Sequence, residues 1–356
     1  MAKIRPQDSA TLQEILSQPL AWKDSLRNLE TNAALESVLA SFDFKSELLF
    51  IGCGTSFYLA EAAAASWTTL TGQTARALPA SELLLFPALS LPHKGQTQAV
   101  IISRSGSTSE AVRAAIFLAR EARVTTVGLT CSPNSPLASE CDLTIQLTSA
   151  DEKSTVMTRS FTSMLLVMQY LAGRKAGDKQ LCDSLEHMPN NFSALLQVFS
   201  ERINVFLENR NFADYVFMGQ GPFQGIAREA SLKVTEMSCS FSQAYHTLEF
   251  RHGPKAIVSP ETCLTFFISE SGRDSECEVL VEMKDLGAAV IAVCNRANET
   301  IRSSSDLVVE LGLDGTEIVT LAPAVVPAQL LGFYAGIKKG LNPDSPKNLS
   351  RVVLLD

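Results

Sequence analysis

A hydroxyl-rich turn near residue 105 brings together side chains that could bind an anion. Residues 101–110 read I-I-S-R-S-G-S-T-S-E, with an apolar run before them and a helical pattern after them. At such a helix start, the backbone N–H groups and the hydroxyls of Ser103, Ser105 and Thr108 point at one spot. Arg104 adds a positive charge, but the lysine of a nucleoside triphosphate loop is missing. The turn predicts a cradle for a compact phosphate monoester; the alternative is an ordinary turn with an N-cap.

A second group of ionisable side chains follows in the latter half of the chain. Glu229, Lys233 and Glu236 are spaced i, i+4 and i+7, which places them on one face of a helix. Such a triplet is either a solvated face with one salt bridge or, among apolar neighbours, a charged face turned into a cleft. A carboxylate beside an ammonium group in a cleft suits general-base catalysis. His252, just before a Gly-Pro turn, is either a structural hydrogen-bonding residue or a catalytic one.

Alternating strands and helices must position both groups. The apolar pattern predicts strands at residues 48–51, 74–78, 99–103, 124–130 and 143–147 in the first half, and at 215–219, 263–268, 289–294 and 307–311 in the second. Helices are predicted between them, with a helical segment over 9–40 that is broken near Pro19. Fully apolar strands alternating with helices indicate an α/β fold with parallel sheets covered on both faces.

The two halves of the chain share a pattern. I-G-C-G-T-S in the first half and M-G-Q-G-P-F in the second each follow a strand and precede a helix. This similarity predicts the duplication of one α/β module, the alternative being two unrelated α/β domains. A polar stretch at 176–189 is predicted to be an irregular boundary. The expected division is therefore a helical segment at 1–40, a first domain at 41–190 and a second domain at 191–356.

Composition limits the classes of function. The chain has 356 residues, enough for two domains, and a net charge of −8 without a basic patch, which argues against nucleic acid as a partner. The N-terminus lacks an apolar signal segment, and no apolar run is expected to approach the roughly 20 residues of a membrane helix. Eight scattered cysteines without a C-x-x-C pair, and four histidines without ligand spacing, predict reduced thiols and no metal site in a cytoplasmic protein.

Five ordered motifs resemble those of tandem sugar isomerase (SIS) proteins. They are C-G-T-S at 53–56, S-R-S-G-S-T at 103–108, E-A-S-L-K-V-T-E at 229–236, F-R-H-G-P-K at 250–255 and N-L-S-R at 348–351. The chain is similar to the isomerase half of glucosamine-6-phosphate synthase and to fructosamine-6-phosphate deglycases. It most resembles the branch of tagatose-6-phosphate ketose/aldose isomerases and galactosamine-6-phosphate deaminases. This resemblance implies two tandem SIS domains, each a doubly wound, flavodoxin-like parallel sheet with helices on both faces.

The resemblance also implies roles for individual residues. Glu236 would move a proton between C1 and C2 of the open-chain sugar, and His252, supplied by the neighbouring subunit of a homodimer, would help to open the ring. Lys233 would act with them. The substrate-binding set would be Thr55, Ser56, Ser103, Arg104, Ser105, Thr108, Glu229 and Arg351. No metal or redox cofactor is expected, because the carbonyl or imine already acidifies the adjacent C–H bond.

Two departures from the synthase bear on the reaction. Residue 2 is Ala and no glutaminase segment is present, so ammonia from glutamine is not expected on this chain. Arg351 stands where the synthase has a lysine, and a guanidinium group does not form a Schiff base. The expected activity is isomerisation of a 6-phosphorylated amino sugar with release of ammonia. The alternatives are an aminotransferase subunit, a fructosamine-6-phosphate deglycase and a non-catalytic phosphosugar sensor.

Overall fold

Two parallel sheets organise the chain, in a computed structural model that describes residues 5–31, 35–91, 96–122 and 124–355. The strands in these residues are β1 Glu47–Gly52, β2 Ala75–Pro79, β3 Thr97–Ile102, β4 Thr125–Thr130, β5 Leu143–Gln146, β6 Asp214–Gly219, β7 Phe241–Tyr245, β8 Thr262–Phe267, β9 Ala289–Cys294 and β10 Leu307–Glu310. The helices are α1 Ala10–Leu16, α2 Gln18–Glu30, α3 Leu35–Ser41, α4 Thr55–Thr71, α5 Ala80–Leu85, α6 Pro87–Ser90, α7 Ser109–Ile116, α8 Pro136–Glu140, α9 Arg159–Ala176, α10 Lys179–Glu208, α11 Phe223–Ser238, α12 Arg273–Asp285, α13 Glu299–Ser303, α14 Leu321–Ala324 and α15 Val326–Lys338.

The strand order explains why the central strands are apolar throughout. The first sheet has the order β2-β1-β3-β4-β5, and the second has β7-β6-β8-β9-β10, all in parallel pairs. All but the first residue of β1, β3 and β6 is buried, because helices cover both faces of each sheet. The predicted doubly wound α/β fold is therefore confirmed.

The two sheets share one topology, and they also share a glycine turn, which follows β1 in the first sheet and β6 in the second. A methyl group on Gly52 would lie 2.4 Å from the Ser56 carbonyl oxygen, and one on Gly219 would lie 2.3 Å from that of Phe223. Each helix start therefore packs against the glycine that ends the strand four residues earlier. The shared strand order and the shared close approach favour duplication over two unrelated domains.

Two sequence expectations about local structure are wrong. The stretch at 176–189 is not irregular, since α10 runs through it with Pro189 inside the helix, and the expected boundary at 190/191 falls within this helix. The buried face of α10 is formed by apolar residues at helical spacing, namely Leu181, Leu185, Met188 and Phe192. In addition, Phe241–Tyr245 forms the edge strand β7, which is not among the predicted strands.

The expectation that no apolar run reaches membrane-spanning length is also wrong. The segment Glu317–Lys338 has 22 residues and, by length and composition, is long and apolar enough to cross a membrane. However, 94% of its most apolar window is buried inside the protein. It includes α14 and α15. A helix that is apolar on all sides is expected in the centre of a protein core as well as in a membrane.

The chain divides into two compact units that are interleaved in sequence. The first-sheet unit comprises Leu20–Glu152, Arg159–Glu186 and Ser350–Asp356. The second-sheet unit comprises Met1–Pro19, Lys153–Thr158 and His187–Leu349. These units do not coincide with the segments 1–40, 41–190 and 191–356, because the N-terminal helices are divided between them and the C-terminal tail returns to the first-sheet unit.

Candidate functional site

The hydroxyl-rich turn lies at the topological switch point of the first sheet. Strands β1 and β3 are neighbours, with Ile51 paired to Ile101, and their chain connections leave in opposite directions across the sheet. Ligands of open α/β sheets bind beside the carboxyl ends of strands at such a point. Thr55 and Ser56 begin α4 after β1, and the cradle loop, residues 103–108, follows β3.

The backbone of the cradle loop is held tightly by its own contacts. Gly106 has φ +62°, and a methyl group there would lie 2.0 Å from the Ser135 hydroxyl oxygen. The Gly106 N–H donates to the Ser103 carbonyl at 3.1 Å, and the Ser103 hydroxyl donates to Thr108 Oγ1 at 3.3 Å. This fixed geometry is what a preorganised anion site requires.

Several donors of the cradle remain open. Thr108 is the N-cap of α7, but its side chain makes no capping bond. No described residue accepts a hydrogen bond from the backbone N–H groups of Thr108, Glu110 or Ala111. Unpaired N–H groups at a helix start, next to partly exposed hydroxyls of Ser105 and Thr108, form an arrangement that favours an oxyanion.

The Arg104 side chain is buried and forms an ion pair. Its side chain is 4% exposed, and its Nη1 lies 3.3 Å from Glu152 Oε2, whose side chain is fully buried. The Glu152 carboxylate also accepts from Ser160 at the start of α9, at 3.2 Å from the N–H and 2.5 Å from the hydroxyl. The guanidinium group of Arg104 is thus part of a buried network with Glu152 and Ser160.

The C-terminal tail lies on the same unit. The Arg104 Nη2 donates to the Arg351 carbonyl at 3.1 Å, and the Arg351 side chain pairs with Asp151 at 2.5 Å. The N–H of Ser109, the first residue of α7, donates to the Val353 carbonyl at 3.2 Å. Two acids that are adjacent in sequence therefore pair with two arginines: Glu152 with Arg104 of the cradle, and Asp151 with Arg351 of the tail. The sequence analysis singled out neither acid, although two successive acids at 151–152 are visible in the sequence.

Cys53 adjoins the cradle and is not an activated thiol. Burial raises its pKa to about 11, and the negative charge of Glu110 adds to this shift. At neutral pH the Cys53 side chain is therefore protonated, which argues against nucleophilic catalysis there. All eight cysteines of the chain are free, as the sequence predicted.

The charged triplet of the second-sheet unit lies on α11 and is largely removed from water. The side chains of Glu229 and Lys233 are fully buried, whereas that of Glu236 is 17% exposed. Lys233 Nζ lies 3.4 Å from Glu229 Oε1 and donates to Glu236 Oε2. This burial favours the charged face among apolar neighbours over the solvated face, and of the three side chains Glu236 is the one that a substrate can reach.

Close packing holds α11 in place. A methyl group on Gly336 of α15 would lie 2.3 Å from the Met237 carbonyl oxygen, so the two helix backbones are in direct contact. The buried ammonium group of Lys233 contacts both carboxyl groups, and the fixed backbone keeps the three side chains oriented.

His252 is exposed and follows a short 3-10 turn, Glu249–Arg251. Its backbone N–H donates to the Glu249 carbonyl at 3.0 Å, whereas its ring has no hydrogen-bond partner among the described residues. The ring therefore has no structural hydrogen bond within the described part of the chain. Among the described residues, no group of three His, Cys, Asp or Glu side chains is arranged to hold a metal ion, and His93 lies outside those residues.

Comparison with known families and proteins agrees with this arrangement. The profile described as "SIS domain" matches residues 43–174 and 213–331, one stretch for each sheet. The solved structure of glucosamine-6-phosphate deaminase from Thermotoga maritima is 30% identical, covers 98% of this chain and 100% of that one, and has a TM-score of 0.80.

Two curated relatives carry different names. A Streptomyces coelicolor protein, provisionally named as a D-galactosamine-6-phosphate deaminase, is 28% identical and covers 95% of this chain and 92% of its own length. The glutamine–fructose-6-phosphate aminotransferase (isomerizing) of Methanothermobacter thermautotrophicus is 25% identical over 100% of this chain but only 59% of its own length. The chain thus spans about three fifths of that aminotransferase.

Proposed function

The chain belongs to the SIS domain family, and from this premise we propose that it isomerises a 6-phosphorylated amino sugar to the ketose phosphate with release of ammonia. The observation that carries the proposal is the buried Glu229–Lys233–Glu236 cluster, whose partly exposed member is a carboxylate. The names of the deaminase structure and of the deaminase relative support the substrate class.

Phosphate binding is assigned to the cradle. The open N–H groups at the start of α7 and the hydroxyls of Ser103, Ser105 and Thr108 are the primary donors, with Thr55 and Ser56 at the neighbouring helix start. A monoester dianion suits these neutral, fixed donors. Arg104 and Arg351 support the site through Glu152 and Asp151, so we assign them positioning roles.

Proton transfer is assigned to Glu236. In the open-chain 2-amino aldose the aldehyde acidifies the C2–H bond, and Glu236 removes that proton to give an enolamine. Return of the proton to C1 gives a ketimine, and water then replaces the nitrogen, so one water is consumed and one ammonia is released. A positioned base of this kind contributes about 10²–10⁴-fold to the rate. Lys233 orients Glu236 through the hydrogen bond that it donates.

Ring opening is assigned to His252 from the neighbouring subunit of a homodimer. The exposed ring, which has no hydrogen-bond partner among the described residues, is free to act on another copy of the chain. This part of the proposal rests on the family resemblance together with that exposure. The reaction needs no redox cofactor, and the eight free thiols support a location in the cytoplasm.

A substrate panel tests the proposal. The chain is incubated with glucosamine 6-phosphate, galactosamine 6-phosphate or fructosamine 6-phosphate, and ammonia and ketose phosphate are both measured. Equal amounts of the two products from one of the 2-amino aldoses are expected. Binding of all three without product would replace the proposal with a sensor, and turnover of fructosamine 6-phosphate alone would replace it with a deglycase.

The aminotransferase name of one relative favours a second candidate, a subunit that uses ammonia for synthesis. Such a chain would form amino sugar from fructose 6-phosphate and added ammonia at a high initial rate, while releasing no measurable ammonia from either amino sugar. Arg351, which cannot form a Schiff base, argues against this candidate.

A further inference from the structure

The loop after β8 repeats the cradle sequence in the second-sheet unit. I-S-R-S-G at 102–106 begins with the last residue of β3, and I-S-E-S-G at 268–272 begins directly after β8. Strand β8 is paired to β6 as β3 is paired to β1, so each loop lies at the switch point of its own sheet. Each loop also leads into a helix, α7 in the first case and α12 in the second.

The donors of this second loop are occupied by carboxylates of the chain itself. Glu276 accepts from the Ser269 N–H at 2.7 Å and from its hydroxyl at 3.1 Å. Glu317 accepts from the N–H groups of Glu270 and Ser271 at 2.9 and 3.3 Å, and from the Ser271 hydroxyl at 2.6 Å. Five donors thus converge on two carboxyl groups, whereas the N–H groups of Thr108, Glu110 and Ala111 in the first cradle have no acceptor among the described residues.

Glu276 is buried against the loop and accepts hydrogen bonds from it. It is 1% exposed and belongs to α12, whose first turn follows the loop. Burial raises its pKa to about 7, the Ser269 hydrogen bonds oppose that shift, and the charge of Glu317 adds to it. Its hydrogen bonds with Ser269 come from neutral donors, an N–H and a hydroxyl, which are the donor types that also hold a phosphate.

We propose that the loop Ser269–Gly272 is a second anion cradle that the chain closes with its own carboxylates, Glu276 and Glu317. These carboxylates occupy the positions that the oxygens of a phosphate ester would take. Each chain would therefore offer phosphate esters the first cradle alone, and removal of both carboxylates would open the second. The role of the first cradle rests on the proposed function, but the closure of the second does not.

Counting bound phosphate tests the proposal. Inorganic phosphate is titrated calorimetrically at pH 8 into the full chain and into Glu276→Ala/Glu317→Ala, with folding checked by circular dichroism. The variant is expected to bind one equivalent more than the unaltered chain. The control Glu278→Ala/Glu299→Ala removes two exposed acids from the same unit and should bind no more than the unaltered chain. An unchanged count in the first variant, or an equal gain in the control, would overturn the proposal.

Hydrogen exchange of the unaltered chain provides a test that needs no variant. Amides of residues 269–271 should be protected without phosphate and unchanged when phosphate is added, whereas those of residues 108–111 should gain protection. Added protection at 269–271 would show that the second cradle is open and overturn its closure. Absence of any change at 108–111 would instead count against the phosphate role of the first cradle, so the two failures are distinguishable.

Discussion

Replacing Arg104 with methionine is expected to destabilise the first-sheet unit by about 3 kcal/mol, because it leaves the Glu152 carboxylate buried without its guanidinium partner. Removing one member of a buried ion pair costs roughly 3–5 kcal/mol. The lower end applies here, since Glu152 keeps its two hydrogen bonds from Ser160. Urea denaturation followed by tryptophan fluorescence reports on this unit, because both tryptophans of the chain, Trp22 and Trp67, belong to it.

A double-mutant cycle with Glu152→Gln separates the pair from other effects. The double variant should lose about 1–3 kcal/mol less than the sum of the single losses, as directly interacting residues do. Arg120→Met is the matched control, because the Arg120–Glu140 pair in the same unit is largely exposed on its arginine side and should be worth less than about 1 kcal/mol. A loss below about 1 kcal/mol for Arg104→Met would refute the assignment of a buried Arg104–Glu152 pair.

Three further predictions concern single sites. Gly106→Ala places a methyl group 2.0 Å from the Ser135 hydroxyl at a positive φ, so phosphosugar KM should rise at least about tenfold, and an unchanged KM would contradict the fixed cradle. The pKa of Glu276 is about 7 in the folded chain and about 4.5 in the unfolded chain, so its contribution to the free energy of unfolding is full below pH 4.5 and is lost as pH rises through 7. Urea denaturation followed by far-UV circular dichroism should show that the free energy of unfolding declines by about 3 kcal/mol over this range, and Glu276→Gln should remove the decline. Iodoacetamide at pH 7.5 should label the exposed Cys239 and leave Cys53 unmodified by peptide mass, and rapid labelling of Cys53 would contradict its raised pKa.

The strand–turn–helix order could be predicted because buried parallel strands are apolar throughout, as β1 and β6 are. The edge strand β7 was missed because F-S-Q-A-Y lacks that signal, and the start of α10 was missed because Pro189 and nearby polar residues obscured its apolar face. Propensity alone does not show that a proline will be accommodated by packing.

The sequence predicted which residues of the candidate site share a helix face, but not which partners each side chain would contact. The spacing of Glu229, Lys233 and Glu236 fixed their common face, and burial of that face followed from their apolar neighbours. Arg104 was grouped with the phosphate donors because it lies between Ser103 and Ser105, yet its guanidinium group pairs with Glu152, 48 residues further along the chain. Such long-range pairs are set by tertiary packing and are not encoded in local spacing.

The most direct measurement concerns proton transfer at Glu236. In deuterated water the unaltered chain should convert the amino sugar phosphate with solvent deuterium appearing at C1 of the ketose. Glu236→Gln should lower kcat by about 10²–10⁴-fold and leave the dissociation constant of the phosphosugar within about threefold. The surface variant Glu278→Gln should leave both values unchanged. Turnover of Glu236→Gln within about tenfold of the unaltered chain would contradict the assignment of Glu236 as the base.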